Sequence, residues 1–230
     1  MSFNFFLCYT FSVIIIRKGV CVKLTIVSWR RPKINKIQEV IQGTLELRKI
    51  MGWNGNGCVI DSANSHEHNL MGHWARFDSR EAATEMYEKM REKNQSEVQN
   101  KIKEINENCN GYYNSHFDVI ENSEGVNWED KPAAGTWVRI KAKPGKIHDL
   151  IENMKMYRST IPDGNIKPGF MKNVNGDMSV VHMTRPMMSM NDIADYDQTL
   201  NQREDNKALT NAFFSYVEEI HRYNFPLIYD

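Results

Sequence analysis

Apolar and polar residues change their spacing along the chain, and from Lys23 onwards the pattern predicts alternating strands and helices. KLTIVSWR alternates at every second residue, as a half-buried strand does. Pro32 is predicted to end this strand and to start a helix that ends near Gly52. The apolar positions of this helix recur every three or four residues, at Ile34, Ile37, Ile41 and Leu45.

The next runs predict a hairpin, two helical segments and a closing strand. GCVIDS and LMGHWARF are short strand-like runs joined by the polar connection ANSHEHN. YYNSHFDVI then closes the unit as a strand. The inner positions of the two helical segments are Ala83, Met86 and Met90, and then Val98, Ile102 and Ile105.

The second half of the chain repeats this order of elements. TWVRIKAK is predicted as a strand, and PGFMKNV pairs with MSVVHMTR across a turn at Asn175 and Gly176. YNFPLIYD is predicted as the last strand. The apolar positions of the two helices are Ile147, Leu150, Ile151 and Met154, and then Leu209, Phe213, Val217 and Ile220.

Helix-start signals occur at matching places in the two halves. Asp78 is followed three residues later by Glu81, and Ser189 is followed by Asp192, as in a capping box. Corresponding residues lie 110 positions apart, at Ser79 and Ser189 and at Tyr113 and Tyr223. A constant offset of this kind predicts a duplicated unit.

We therefore interpret residues 22–121 as a first ferredoxin-like repeat, residues 122–135 as a linker and residues 136–230 as a second repeat. The linker is polar, contains Gly and Pro and has no apolar period. The predicted fold class is α+β, with two tandem ferredoxin-like βαββαβ repeats that lay their sheets face to face and close an intramolecular barrel.

Composition excludes several classes of function. Positive and negative residues balance at 29 each, so no net charge attracts nucleic acid or an acidic membrane. The four cysteines have neither metal-site nor disulfide-framework spacing, so reduced thiols and a cytoplasmic location are expected. The sequence contains no nucleophile motif, phosphate-binding loop or dinucleotide-binding glycine pattern.

Residues 1–21 are interpreted as a mistranslated leader or a disordered arm. The run from Phe3 to Ile16 is apolar but shorter than the roughly 20 residues that span a bilayer, and no basic residue precedes it as in a signal peptide. Residues 17–20 can be encoded by a purine-rich ribosome-binding sequence, and Val22 by an alternative start codon. A short hydrophobic arm or membrane-surface anchor is the other interpretation.

Three features carry a resemblance to a known family: the strand that ends at Trp74, the segment RFDSREAATEMYEKM after it, and the βαββαβ order. Together they resemble the dimeric α/β-barrel superfamily. This superfamily includes antibiotic-biosynthesis-type monooxygenases, stress-responsive barrel proteins, haem-degrading monooxygenases and tandem members such as chlorite dismutase. The resemblance covers nearly all of Lys23 to Asp230 and implies a pocket between sheet and helices. Sheets with open edges often pair, so a homodimer is also an expectation.

Side-chain alternation along the strands predicts which residues face the barrel. The aromatic and basic set of TWVRIKAK and the polar set of YYNSHFDVI would face inward if the apolar sets pack on helices. The barrel interior would then collect Trp137, Arg139, His116 and Asn114. Aromatic walls with a few polar groups are typical of small-molecule pockets, although a solvated sheet face carries such residues too.

The predicted catalytic residues are His116, Asn114 and Trp74. Cofactor-free monooxygenases of the resembled fold use His, Asn and Trp groups to hold an electron-rich aromatic substrate, and Asp118 would orient His116. The predicted ligand-binding residues are Trp137, Arg139, Tyr112 and His182.

Metal and haem chemistry have less support from the sequence. His66, His68 and His73 lie close together without a matching carboxylate or cysteine set, so no metal site is expected. Haem-degrading members pair a strand Trp with a His on the following helix, but the predicted helix from residue 79 to 108 contains no histidine. His182 and His116 are the remaining candidates for a haem ligand.

The sequence therefore predicts a barrel that binds a small apolar or aromatic molecule, with no cofactor and no nucleic-acid or membrane partner. Its enzymatic form would be a cofactor-independent monooxygenase-like activity. The alternatives are a non-enzymatic stress-responsive or scaffold barrel with a filled interior, and a haem-binding enzyme. A cavity of about 300 Å³ or more beside Trp137 and His116 would favour the first function over the filled barrel.

Overall fold

Each half of the chain contains four strands, with a helix after the first strand and helical structure before the last. The computed structural model describes residues 23–51, 58–61, 70–93, 95–192 and 205–229. The strands are β1 (Leu24–Pro32), β2 (Cys58–Asp61), β3 (Leu70–Phe77), β4 (Cys109–Glu121), β5 (Ala134–Ala142), β6 (Gly169–Asn173), β7 (Val180–Met187) and β8 (Val217–Ile228). The helices are α1 (Ile37–Ile50), α2 (Arg80–Lys93), α3 (Gln95–Glu107), α4 (Ile147–Ser159) and α5 (Asp205–Tyr216). The predicted leader, residues 1–21, lies outside the described residues.

The eight strands form one closed antiparallel barrel in the order β1–β3–β2–β8–β5–β7–β6–β4. In the first half, β1 lies between β3 and β4, and in the second half β5 lies between β7 and β8. The halves meet at two seams, where β2 pairs with β8 and β4 pairs with β6. Each described strand therefore has a partner on both sides, which removes the open edges of a flat sheet.

Helices cover the outer face of β1, β3, β5, β6 and β7, where alternate side chains are apolar and point towards them. α1 and α3 pack on β3 and the start of β4, α2 packs on β1 and β3, and α4 packs on β5, β6 and β7. A separate cluster fills the barrel interior with Val27, Trp74, Phe117, Trp137, Met171, Phe225 and Leu227. The fold thus has two apolar layers, one under the helices and one inside the ring.

The predicted start of the first helix is wrong. β1 continues to Pro32, and Asn35 has a positive φ of 63°, in the left-handed region that a right-handed helix cannot include. α1 therefore begins at Ile37 and leaves Ile34 81% exposed. Val40 and Leu47 complete the buried stripe instead.

The predicted end of the last helix is also wrong. α5 ends at Tyr216, and Val217 and Ile220 lie on β8, where they pair with Ala142 and Ile140 of β5. Val and Ile three residues apart fit a helical stripe as well as a strand, and pairing with β5 decides between the two.

The helix caps agree with the prediction in one half and shift by one residue in the other. Ser79, not Asp78, caps α2, since its Oγ accepts a hydrogen bond from the Ala82 amide at 3.0 Å. In the second half, Ser189 Oγ accepts from the Asp192 amide at 3.3 Å and Asp192 accepts from the Ser189 amide at 2.9 Å. This is the predicted capping box. Most of the helix that the sequence predicts after this cap falls in residues 193–204, which lie outside the described residues.

None of the helices in the described segments combines the length and the hydropathy that crossing a bilayer requires.

We predict that Gly72→Ala destabilises the barrel. Its new methyl group would lie 2.7 Å from Cζ3 of Trp29, inside van der Waals contact, so the packed ring must move. The expected loss is about 1–3 kcal/mol of unfolding free energy, measured by urea denaturation. Gly111→Ala is the control, because a methyl group there meets nothing within 4 Å. Equal effects of the two substitutions would contradict the packing that we describe.

Candidate functional site

A cavity of about 1090 Å³ occupies one end of the barrel. Its walls come from the last residues of β3, β4 and β7 and the first residues of β5 and β6. Residues 122–129, which connect β4 to β5, also line it. The volume is at the upper end of the range of roughly 300–1,000 Å³ that small-molecule sites occupy. The cavity therefore has room for a ligand of several fused rings.

Part of the cavity wall is aromatic and aliphatic, and polar and charged residues, among them Glu129 and Arg185, line the rest. Trp74 points inward from β3 opposite Val27, and Trp137 points inward from β5 opposite Tyr223 and Thr184. The same alternation brings further side chains of the interior cluster to the wall, namely Met171, Phe225 and Leu227. These residues give the cavity a surface that matches a flat apolar molecule.

Trp74 contributes an unused hydrogen-bond donor to this apolar wall. The side chain is 7% exposed, and its Nε1 has no acceptor in the structure as described. A buried indole N–H usually has a partner, because burial removes the water that would otherwise accept its hydrogen bond. A ligand oxygen beside the ring would supply the missing acceptor.

Arg76 places a positive charge in the same cavity. It lies two residues after Trp74 on β3, so both side chains share the inward face. Its guanidinium lies over the ring of Trp128, 4.7 Å from the centroid, which is a cation–π contact. Burial lowers the pKa of Arg76 to about 10, and the nearby Tyr229 hydroxyl partly opposes that shift. Arg76 thus remains charged at neutral pH.

Tyr229 follows β8 and packs against the apolar cluster inside the barrel. Its hydroxyl donates a hydrogen bond to the Pro132 carbonyl at 2.9 Å, which ties the end of the chain to the segment before β5. Burial raises the pKa of Tyr229 to about 12, although Arg76 and Arg48 act in the opposite direction. The phenol is therefore neutral at physiological pH and does not neutralise Arg76.

The segment 122–129 is held against the barrel by Arg158 of α4. Arg158 donates to the Asn122 carbonyl at 2.9 Å and to the Pro168 carbonyl at 3.0 Å, and its guanidinium lies 2.8 Å from a Glu124 carboxylate oxygen. Two backbone hydrogen bonds join Glu124 to Lys167 at 3.1 and 3.0 Å. Residues interpreted as a linker therefore also form a fixed wall of the cavity.

Below the cavity, Trp137 and His182 form a buried pair. Trp137 Nε1 donates to His182 Nδ1 at 2.8 Å, and the Phe117 ring lies 4.9 Å from the imidazole. Burial, with a smaller contribution from Arg139, lowers the pKa of His182 to about 3. The imidazole is therefore neutral and accepts at Nδ1, so its proton is on Nε2. This hydrogen bond fixes the orientation of the Trp137 ring on the cavity wall.

Comparison with known proteins finds similarity in structure only. No protein-family model matches the sequence, and no curated protein matches it. A proposed monooxygenase from Fusobacterium nucleatum aligns with a TM-score of 0.65 at 10% identity, over 91% of this chain and 94% of that chain. A proposed monooxygenase from Lactobacillus acidophilus gives 0.64 at 8% identity, over 91% and 100%. An anthrone oxidase-like protein gives 0.58 at 11% identity, over 90% and 92%.

This chain has the dimeric α/β-barrel fold. The fold that the resemblance of Trp74 and the segment after it implied is thereby confirmed. At identities of 11% or less, the similarity extends to the fold and carries no activity with it. The position of the cavity also corrects one expectation, because it lies inside the ring and not between sheet and helices.

The α/β barrel does not bring the three predicted catalytic residues together. Trp74 lies on the cavity wall, but His116 pairs with Ile26 and Asn114 pairs with Ser28 on the outer face of the sheet. The expectation that the barrel interior collects His116 and Asn114 is therefore wrong. It assumed that the apolar set of β4 faces the helices, whereas Phe117 from that set packs inside the ring against Trp137.

The other predicted residues of β4 also lie outside the barrel. Tyr112 is 64% exposed. Asp118 does not orient His116 and instead forms a salt bridge with Arg80 of α2 at 2.6 Å. The backbone amide of His116 donates to the Asn175 side chain at 3.0 Å. β4 therefore presents its polar face to the β6–β7 turn and to solvent.

Of the three ligand-binding residues predicted on β5 and β7, one lies on the cavity wall and two do not. Trp137 lines the cavity. Arg139 shares the inward register of Trp137 but lies away from the cavity wall and forms a 3.3 Å salt bridge with Glu219. His182 also faces inward, beneath Trp137, and does not reach the cavity wall.

Haem does not fit the histidines that the sequence suggested for it. A proximal ligand needs a free imidazole nitrogen that faces an open pocket. His182 is enclosed by Trp137 and Phe117, and His116 is on the outer face of β4. His73 is buried beneath α1, where burial and then Arg48 and Arg30 lower its pKa to about 3. Across the described ranges, no three His, Cys, Asp or Glu side chains group as metal ligands, and His66 and His68 fall outside those ranges.

Sequence reasoning missed Arg76, Trp128 and Arg158. Arg76 could have been found by extending the inward face of LMGHWARF two residues beyond Trp74. Trp128 was visible as a lone aromatic residue within the polar segment 122–135. Arg158 had no signal, because its partners are carbonyl groups that only the folded chain brings near it.

We predict that His182→Asn weakens the acid sensitivity of the fold. The pKa of His182 is about 3 when folded against 6.5 ordinarily, so between these values the unfolded chain binds a proton that the folded chain does not. Unfolding free energy is thus highest above pH 6.5 and falls on acidification by about 1.4 kcal/mol per pH unit for such a group. Asparagine offers Trp137 an acceptor and cannot titrate, so the slope should decrease by that amount.

The measurement is a series of urea denaturations between about pH 4 and pH 7. His73 still contributes its own slope in the variant, so some acid sensitivity remains. His148→Asn makes the same substitution at an exposed position on α4 and serves as the matched control for the change of residue type. An unaltered slope in His182→Asn would show that this imidazole is not excluded from protonation in the fold.

Proposed function

We propose that this protein binds a small, largely aromatic molecule in the barrel cavity and oxidises it without a metal or an organic cofactor. The aromatic cavity of about 1090 Å³ beside Trp74 and Trp137 carries the proposal. A stress-responsive or scaffold barrel with a filled interior would not leave such a space. The size criterion derived from the sequence is met beside Trp137, although His116 lies elsewhere.

The oxidative part of the proposal rests on the chemistry of the wall and on the class of the neighbours. An electron-rich aromatic substrate can itself supply the electrons for O₂, so that a ring CH₂ and O₂ give C=O and water. The protein then needs to bind the ring and exclude bulk water, which an aromatic cavity does. Three structures of the same fold are described as monooxygenases or as anthrone oxidase-like, and this supports the reaction class.

We also propose that the barrel arose by duplication of one βαββαβ unit, with residues 22–121 and 136–230 as its copies. The equal element order, the central position of β1 and β5 in their halves, and the serine caps at Ser79 and Ser189 support this. A homodimer and a cytoplasmic location stay predictions. Because each described strand already has two neighbours, a second copy would have to dock on the outer surface of the barrel and not on a strand edge.

Anthrone is a suitable first probe, since it is a three-ring molecule with an oxidisable CH₂ group. We predict that it quenches the fluorescence of the cavity tryptophans and is converted to anthraquinone faster than in buffer, in protein treated with a metal chelator. Thr184→Trp should abolish both effects by filling the cavity, on whose wall Thr184 lies. Thr84→Trp adds the same bulk on the exposed surface of α2 and should change neither.

The two readouts separate the parts of the proposal. Quenching without conversion would leave a binding barrel and reject the oxidative step for this class of substrate. Absence of quenching, or equal quenching in Thr184→Trp, would reject the cavity as the binding site.

A further inference from the structure

The inward end of β3 joins a partly buried cation to an unused N–H donor. We propose that these two groups form an anion subsite, so that the aromatic ligand carries an ionised oxygen that Arg76 and Trp74 bind together. This inference rests on the proposed function, because it assigns the chemistry of a ligand in the same cavity.

The two side chains are placed to act on one ligand group. Trp74 and Arg76 are two residues apart on β3, so they point to the same side of the sheet. They lie opposite Val27 and Thr25 of β1, and all of these except Val27 line the cavity. A ligand oxygen that binds the Arg76 guanidinium can therefore also approach the indole N–H of Trp74.

The charge of Arg76 lacks a counterion within the described chain. Arg76 forms no salt bridge there, and the groups close to it are the Trp128 ring and the neutral Tyr229 phenol. Three acidic residues line the cavity. Glu121 and Glu124 lie 4.0 and 2.8 Å from Arg158, and Glu129 is exposed and forms no salt bridge with Arg76. A buried cation without a paired anion is costly, and a ligand anion would offset that cost.

Trp74 supplies an independent observation that points to the same ligand. Its Nε1 is buried without an acceptor among the described residues, whereas Trp137 Nε1 has His182. A carboxylate or phenolate oxygen accepts more than one hydrogen bond, so it can satisfy the guanidinium and the indole N–H at once. A neutral aliphatic or purely hydrocarbon ligand would leave both groups unsatisfied.

The geometry also explains a role for Trp128. The guanidinium carbon of Arg76 lies over its ring, 4.7 Å from the centroid. A guanidinium has five N–H donors, so this cation–π contact can coexist with a hydrogen bond to a ligand oxygen. The segment that carries Trp128 is fixed by Arg158, so the cation is positioned before a ligand arrives.

The test compares matched aromatic probes with and without the charge. The carboxylate pair is 2-naphthoate and methyl 2-naphthoate, and the phenolate pair is 4-nitrophenolate and 4-nitroanisole at a pH where the phenol is ionised. Affinities are measured by titration calorimetry. In the wild-type protein, at least one anion should bind about 10-fold more tightly than its neutral partner, and the pair that shows the preference identifies the ligand group.

Arg76→Gln should remove this preference and leave the affinity for the neutral probe within about 2-fold. Trp74→Phe keeps a ring but lacks the N–H, and should reduce the preference by about 3- to 10-fold. Arg80→Gln is the matched control, because Arg80 lies just beyond β3 on the outer surface, paired with Asp118. It should retain the full preference.

Thermal unfolding gives a second readout that controls for folding. Without ligand, Arg76→Gln should melt at or above the wild-type temperature, because it removes an unpaired, partly buried charge. The preferred anion should raise the melting temperature of the wild type and not of the variant. If Arg76→Gln fails to fold, Arg76→Lys replaces it, and should bind the anion more weakly than wild type because lysine lacks the two-pronged donor geometry.

The outcomes separate this inference from the proposed function. If neutral and ionised probes bind equally, the anion subsite is overturned while aromatic binding stands. If the preference persists in Arg76→Gln, the assignment to Arg76 is overturned. If none of the four probes binds to the wild type, both the aromatic-ligand proposal and this inference fail.

Discussion

Closure of eight antiparallel strands into one ring is the constraint on which the rest of this structure depends. In a closed ring, every second side chain of each strand enters one shared interior, and its volume must be filled or left as a cavity. Here the middle is filled by rings at van der Waals spacing, with Trp137 lying 5.4 Å from Trp29 and 5.6 Å from Phe117 between ring centroids. The remaining space forms the cavity at one end of the barrel, next to β3, which carries Trp74 and Arg76.

The polar groups of this interior differ in whether they have a hydrogen-bond partner or a counterion. His182 accepts from Trp137 and is kept neutral by burial, so it stabilises the packed layer without adding charge. Trp74 and Arg76 have neither an acceptor nor a counterion in the described chain. A fold selected for stability alone would replace such groups by apolar ones, and their position on the cavity wall is the reason to regard them as functional.

The sequence predicted the element order because strand and helix periods differ enough to be separated by counting. The hairpin between β6 and β7, the Ser189 cap and the buried positions Ala83, Val98 and Ile105 all follow from local patterns. Local patterns failed where two structures fit equally well. Val217 and Ile220 suit both a helix and a strand, and the start of α1 depends on a left-handed residue, Asn35, that spacing does not reveal.

By itself, the sequence determined the order of the strands, the barrel fold and the presence of Trp74 and Trp137 on strands. Only the tertiary structure decided which face of β4 enters the barrel. A strand has two faces, and inside a barrel both can be apolar, so alternation cannot tell the helix side from the interior. Alternation alone therefore could not show that His116 and Asn114 lie outside the barrel and Phe117 inside it. The long-range contacts that bring Trp128 over Arg76 likewise exist only after the ring has closed.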